Sequence, residues 1–190
     1  NNDDPGGLGI VQAQTPAIVL GQGAFDAGIS NQALAFVAGR HLTSFRPGFY
    51  VRHLVPTGTG LKAWLFAAIK LCVPQFPVSA DPQHAVAEAM QTMGNDFKGA
   101  DKDLLTSAVS KLLQAGGALD LKKWVAAIDL TGDRVGLLLG HDLQVATEVM
   151  RSSEEGASVA VKERMKDLVL FSVSDEYFRL RQKLGVSIDG

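Results

Sequence analysis

One cysteine among 190 residues, Cys72, leaves no partner for an intramolecular disulfide and no cysteine-based zinc cluster. Positive charge is not in excess: 18 Lys and Arg stand against 20 Asp and Glu, a net charge of −2. That balance argues against nucleic acid as the main partner. No apolar run approaches the ~20 residues of a membrane span. The longest, around Ala33–Gly39 and Leu61–Val73, are interrupted by Asn, Lys or Arg. No signal peptide is visible, and with the lone cysteine this favours a cytoplasmic location. There is no GxGxxG, and no Lys-Ser/Thr follows Gly21-Gln22-Gly23, so those glycines read as a turn and not a phosphate loop. Internal repeats and low-complexity tracts are missing too. The chain begins NNDDPGG without Met, so it is read as a domain excised from a longer protein. Residues 1–7 form a polar, disordered or linker start, and 8–190 a single domain.

What is present is apolar and mostly helical in spacing. At 46% hydrophobic residues the chain has enough apolar surface for a core. Leu8–Gln14 and Ala17–Leu20, around Thr15-Pro16, predict two short strands or one bent strand. From Ser30 onward the pattern turns helical, with Ser30 as N-cap and Pro47-Gly48 ending the first long helix, Asn31–Arg46. Phe49–Val55 is short and aromatic, and Pro56–Gly60 reads as flexible. Further helices are predicted over Leu61–Val73, from Asp81-Pro82 to about Met93, over Asp101–Ala115, over Asp120–Gly140, then His141–Ser152, Val159–Val173 and Tyr177–Leu184. In Asp101–Ala115 the apolar side is Leu104, Leu105, Val109, Leu112 and Leu113. Met90, Met93, Trp64 and Trp124 read as core or helix-packing residues. The run Tyr177, Phe178, Arg179, Arg181, Lys183 is explained by a capped amphipathic helix. The fold class is therefore mainly α (α+β), helix-rich, with a small strand element near the N-terminus.

Two helices carry the polar residues that matter. In Asn31–Arg46 the sequence AFVAGRHLTSF sets Arg40 and Ser44 four residues apart, on one face, with His41 beside them. In Asp120–Gly140 the sequence DLTGDRVGLL sets Asp129 and Asp133 four apart amid apolar neighbours. The first phrase resembles AFxxGHExxH and the second resembles ExxADRxGLL, in the same chain order. Together they resemble gluzincin metallopeptidases of the HtpX and CAAX-prenyl-protease type. The resemblance covers these two helices directly and the order of elements from about Ile10 to Met150 loosely. It implies a zincin-like fold, and a bacterial origin would fit it.

The resemblance also implies which chemistry is missing. Arg40 stands where the family has its first zinc histidine, His41 where it has the general-base glutamate, and Ser44 where it has the second histidine. Asp129 replaces the glutamate ligand, and only Asp133 keeps the family residue. A guanidinium stays protonated and has no lone pair for zinc. No metal, cofactor or catalytic residue is therefore expected, and Arg40, His41, Ser44, Asp129 and Asp133 form a vestigial site in a pseudopeptidase. Two carboxylates at i, i+4 repel and need a cation. Arg40 is expected to bridge the helices to both, so that truncating it costs on the order of 3–5 kcal/mol if burial is full.

Other arrangements of these residues stay open at this level. Asp129 and Asp133 can face solvent, paired with Lys122, Lys123 or Arg134. His41 with both aspartates can form an N,O,O metal site. Ser44, His41 and Asp129 have the residue types of a nucleophilic triad. The function expected from the whole is a catalytically inactive, protein-binding or assembly module. The alternatives are an unconventional hydrolase using His41 with Asp129 or Asp133, and a sensor of a small anionic ligand in the old substrate cleft.

Overall fold

The structure, a computed structural model, describes residues 8–11, 17–23, 28–94, 99–116, 119–152 and 158–186. It is mainly helical with one small sheet near the start. Strands β1 (Leu8–Val11) and β2 (Ala17–Leu20) pair antiparallel in the register Leu8↔Leu20 to Val11↔Ala17. Of the two sequence readings, the two-strand one holds. The Thr15-Pro16 turn lies outside the described residues.

Caps fix the helix starts. Ser30 Oγ accepts the N–H of Ala33 at 3.2 Å and opens α1 (Asn31–Thr43). The helix stops three residues short of Arg46, because Pro47 disfavours helical geometry in the residue before it. A short helix α2 (Tyr50–Leu54) follows. Thr57 Oγ1 accepts the N–H of Gly60 at 3.0 Å, so α3 (Gly58–Cys72) begins inside the stretch expected to be flexible. Then come α4 (Gln83–Gly94), α5 (Ala100–Gln114) and α6 (Leu121–Gly140), the last capped by Asp120 Oδ1 on the N–H of Lys123 at 2.9 Å. Helices α7 (Leu143–Ser152), α8 (Val161–Ser172) and α9 (Asp175–Lys183) complete the order. Among the described residues no helix is long and apolar enough to cross a membrane.

Contacts divide the chain into two compact units, Asn1–His53 with Trp124–Gly190, and Leu54–Lys123. The core of the first is Phe36, Leu137, Leu138, Ala146, Met150, Val161, Leu168, Phe171 and Tyr177. That of the second is Ala63 and Ala67 of α3 against Val86, Ala89 and Met93 of α4, with Trp64 and Met90 packed on it. The apolar side expected for α5 is right except at Leu104, which is exposed. At about 100° per residue, Leu104 lies roughly 125° from the mean direction of Leu105, Val109, Leu112 and Leu113.

The link from α6 to α7 is made by His141, which has φ +45° and donates its N–H to the carbonyl of Leu137 at 2.8 Å. Asp142 Oδ1 then accepts the N–H of Val145 at 2.9 Å and starts α7. Left-handed geometry costs a residue with a Cβ roughly 1–2 kcal/mol, of which glycine's extra unfolded entropy takes back roughly 0.5–1. His141→Gly is therefore expected to raise stability by about 0.5–1 kcal/mol in urea denaturation. A loss would show that the imidazole makes a contact worth more than the strain.

Candidate functional site

Three glycines four residues apart, Gly132, Gly136 and Gly140, leave a bare strip along α6. The backbone of α1 lies directly on it. A Cβ on Gly136 would sit 2.7 Å from the carbonyl oxygen of Phe36, and one on Gly140 would sit 2.8 Å from that of Gln32. On the other side, a Cβ on Gly39 would sit 2.8 Å from the carbonyl of Val135. Backbones approach this closely only where one of the two residues at the contact has no Cβ. The crossing sets the residue after Gly39 beside the residue after Gly132: Arg40 Nε lies 3.1 Å from Asp133 Oδ1.

Asp133 has no solvent exposure, and its principal partner comes from α8. Arg164, equally buried, donates Nε to Asp133 Oδ2 and Nη2 to Asp133 Oδ1, both at 2.7 Å. This is the two-pronged geometry in which guanidinium and carboxylate match best. Arg40 is a second cation beside the same oxygen, in an ion-pair contact, with its side chain 27% exposed. Burial, and then the neighbouring charge of Arg164, lower the Arg40 pKa against the opposing pull of Asp133 and Asp129.

Asp129, one turn earlier, has different partners. Its Oδ2 accepts the backbone N–H of Ser158 at 2.9 Å and also the Ser158 hydroxyl. Arg52 Nη2, from α2, lies 3.7 Å from the same oxygen. The expectation that Arg40 bridges the helices to both aspartates holds for Asp133 and is corrected for Asp129. Arg40 meets Asp133, Arg164 carries it, and Asp129 belongs to Ser158 and Arg52. The solvent-facing alternative fails for Asp133, which is fully buried, and Arg134 pairs instead with Asp167 at 2.6 and 2.8 Å.

The two remaining residues stand at the end of α1. Ser44 is its C-cap, with its N–H on the carbonyls of His41 and Leu42. His41 is half-buried and, among the described residues, makes no hydrogen bond to Asp129, Asp133 or Ser44. The triad arrangement is thus not assembled among the described residues, and Asp129 Oδ2 is engaged by Ser158. Nor do any three His, Cys, Asp or Glu side chains converge among the described residues as a metal set would.

His41 responds to the cations around it. Burial first, then Arg40, then His53 hold its pKa below the usual value. The unfolded chain takes up this proton near pH 6.5, the folded chain only at lower pH. Between the two values the unfolded state binds more protons, so stability falls as pH drops through that window and levels off beneath it. His41→Asn is expected to remove this part of the pH dependence. The check is the difference in urea midpoint between pH 7.5 and pH 5, which should be smaller in the variant, and an equal difference would refute it.

Arg164 is the residue that the sequence reading missed, although a signal for it exists. The buried positions of α8 are Val161, Arg164, Leu168 and Phe171, spaced 3, 4 and 3. Arg164 occupies a place in the apolar stripe, and a charge there implies a buried partner. Asp133 stands in the same relation to Ile128, Gly132, Gly136 and Leu137 on α6. No protein-family model, no curated protein and no solved structure matches the chain.

Proposed function

We propose that the chain is a catalytically inactive relative of gluzincin metallopeptidases, acting as a protein-binding or assembly module. The observation that carries the reading is the state of Asp133: buried, with both carboxylate oxygens already occupied by guanidinium groups. A carboxylate so engaged is neither a free metal ligand nor a base for water. Arginine holds it with a permanent charge and cannot polarise a substrate carbonyl as zinc would. The two phrases that resemble the family meet at this node, where Arg40 takes the place of a ligand histidine. A fold that keeps its architecture without its chemistry retains its surface, and surfaces serve recognition.

Metal content tests the reading. Protein purified without chelator or histidine tag, before and after zinc addition and dialysis, is expected to hold no stoichiometric metal. Near-stoichiometric zinc that is lost in His41→Ala would overturn it and favour the hydrolase alternative.

A further inference from the structure

Exposed apolar side chains gather where α8 meets α9. Val169, Leu170, Val173 and Phe178 fall within ten positions, and each is more than half exposed. Single exposed apolar residues are ordinary, but a cluster marks a surface that meets something. At about 100° per residue, Val169, Leu170 and Val173 share one face at α8, roughly 170° from the mean direction of the buried Val161, Arg164, Leu168 and Phe171. Lys162 and Lys166, both exposed, lie on the same outward face, with Glu163 at its edge.

The charges along this face are ordered. Lys162 stands in the first turn of α8, where the positive end of the helix disfavours it, so helix stability does not account for its placement. Apolar residues follow the two lysines. Beyond the C-terminal end come Asp175 and Glu176, exposed in the first turn of α9. Ser174 fixes that junction: its hydroxyl donates to the Phe171 carbonyl at 2.7 Å and accepts the N–H of Tyr177 at 3.2 Å. Among the described residues neither lysine nor either acid forms an ion pair, although Glu176 acts on Arg134 at longer range.

A basic end, an apolar middle and an acidic end complement the same sequence of features reversed. We propose that the outward face of α8, with the first turn of α9, is a twofold contact between two copies of this chain. With the axis between Val169 and Leu170 and the helices antiparallel, the apolar middles meet, and Lys162 of each copy comes to the start of α9 in the other. The stem of Lys166 then covers Val173. Each residue meets its counterpart reciprocally, as an isologous contact requires. An anionic bilayer, the other surface that lysines beside apolar residues suit, is repelled by the acidic end. The face is a few turns of helix, so the contact belongs with those burying less than ~1,200 Å² in total, which are weak. The proposal deepens the assembly role given above by naming the partner. Metal content tests the absence of chemistry and oligomeric state tests this face, so the two fail separately.

Sedimentation equilibrium of the full chain, from micromolar to near-millimolar concentration, is expected to show a monomer–dimer equilibrium. Leu170→Ser with Val173→Ser removes the apolar middle, and Lys162→Glu with Lys166→Glu sets acid against acid. Each pair should weaken the dimer at least tenfold. All four positions are exposed, so the fold should persist, which circular dichroism checks. Asp175→Lys with Glu176→Lys should weaken self-association as well. Mixed with the Lys162→Glu, Lys166→Glu chain, however, it should form a heterodimer tighter than either variant makes alone. Unspecific apolar adhesion would give no such rescue. A wild-type chain that stays monomeric would overturn the contact, whether or not it sediments with phosphatidylserine–phosphatidylcholine vesicles. So would a dimer unmoved by the lysine reversals, or mixed variants that associate no better than each alone.

Discussion

Replacing Arg164 by Met is expected to destabilise the first unit by about 3–5 kcal/mol, enough to unfold a marginal domain. The size follows from what is left behind. Asp133 has no exposure, and without Arg164 the one cation left to it among the described residues is Arg40, 3.1 Å away. A buried carboxylate short of hydrogen bonds is among the most expensive groups to hold in a folded chain. Substituting both partners tests whether the cost is that of an orphaned charge. In Asp133→Leu with Arg164→Met the interior becomes apolar, and most of the loss should return, a coupling of about 2 kcal/mol or more. Arg40 can then turn its guanidinium to water, since it is already partly exposed. For the same reason Arg40→Ala should cost only about 1 kcal/mol, and not the larger figure expected when Arg40 was the sole counter-charge. Urea denaturation of these three variants, with Asp133→Leu alone to close the cycle, measures all of this. Equal losses for Arg40→Ala and Arg164→Met would show that the order of importance drawn from the geometry is wrong.

Gly136→Ala is the second large effect, at about 1–3 kcal/mol. One methyl group would lie 2.7 Å from the Phe36 carbonyl oxygen and 2.8 Å from its ring. The ring can rotate, but the backbone oxygen belongs to α1 and moves only if the helix moves. Separating the helices also draws Arg40 from Asp133, so packing and charge are lost together. Gly132→Ala is the control, because its Cβ would meet Thr43 Oγ1 at 3.4 Å and nothing nearer. Alanine is the better helix former by about 0.8–1 kcal/mol, so this variant should be neutral or slightly more stable. If Gly136→Ala is as stable as Gly132→Ala, the two backbones do not meet as closely as described.

Periodicity, caps and breakers in the sequence placed most of the helices, because these act between residues a few positions apart; the short α2 and the first turn of α3, in a stretch read as flexible, escaped them. Ser30, Thr57, Asp120 and Ser174 each cap within three residues of themselves, and the spacing of apolar residues needs no partner to be read. The sequence also marked Arg40, Asp129 and Asp133 as charges in apolar surroundings that require company. It did not determine which company. Arg164 lies 31 positions from Asp133, and Ser158 lies 29 from Asp129. Those pairings depend on how α8 returns across α6, a long-range closure that no pattern within a few residues encodes. Local forces chose the elements, while a carboxylate with no water left around it chose its arginine only once the chain had closed over it.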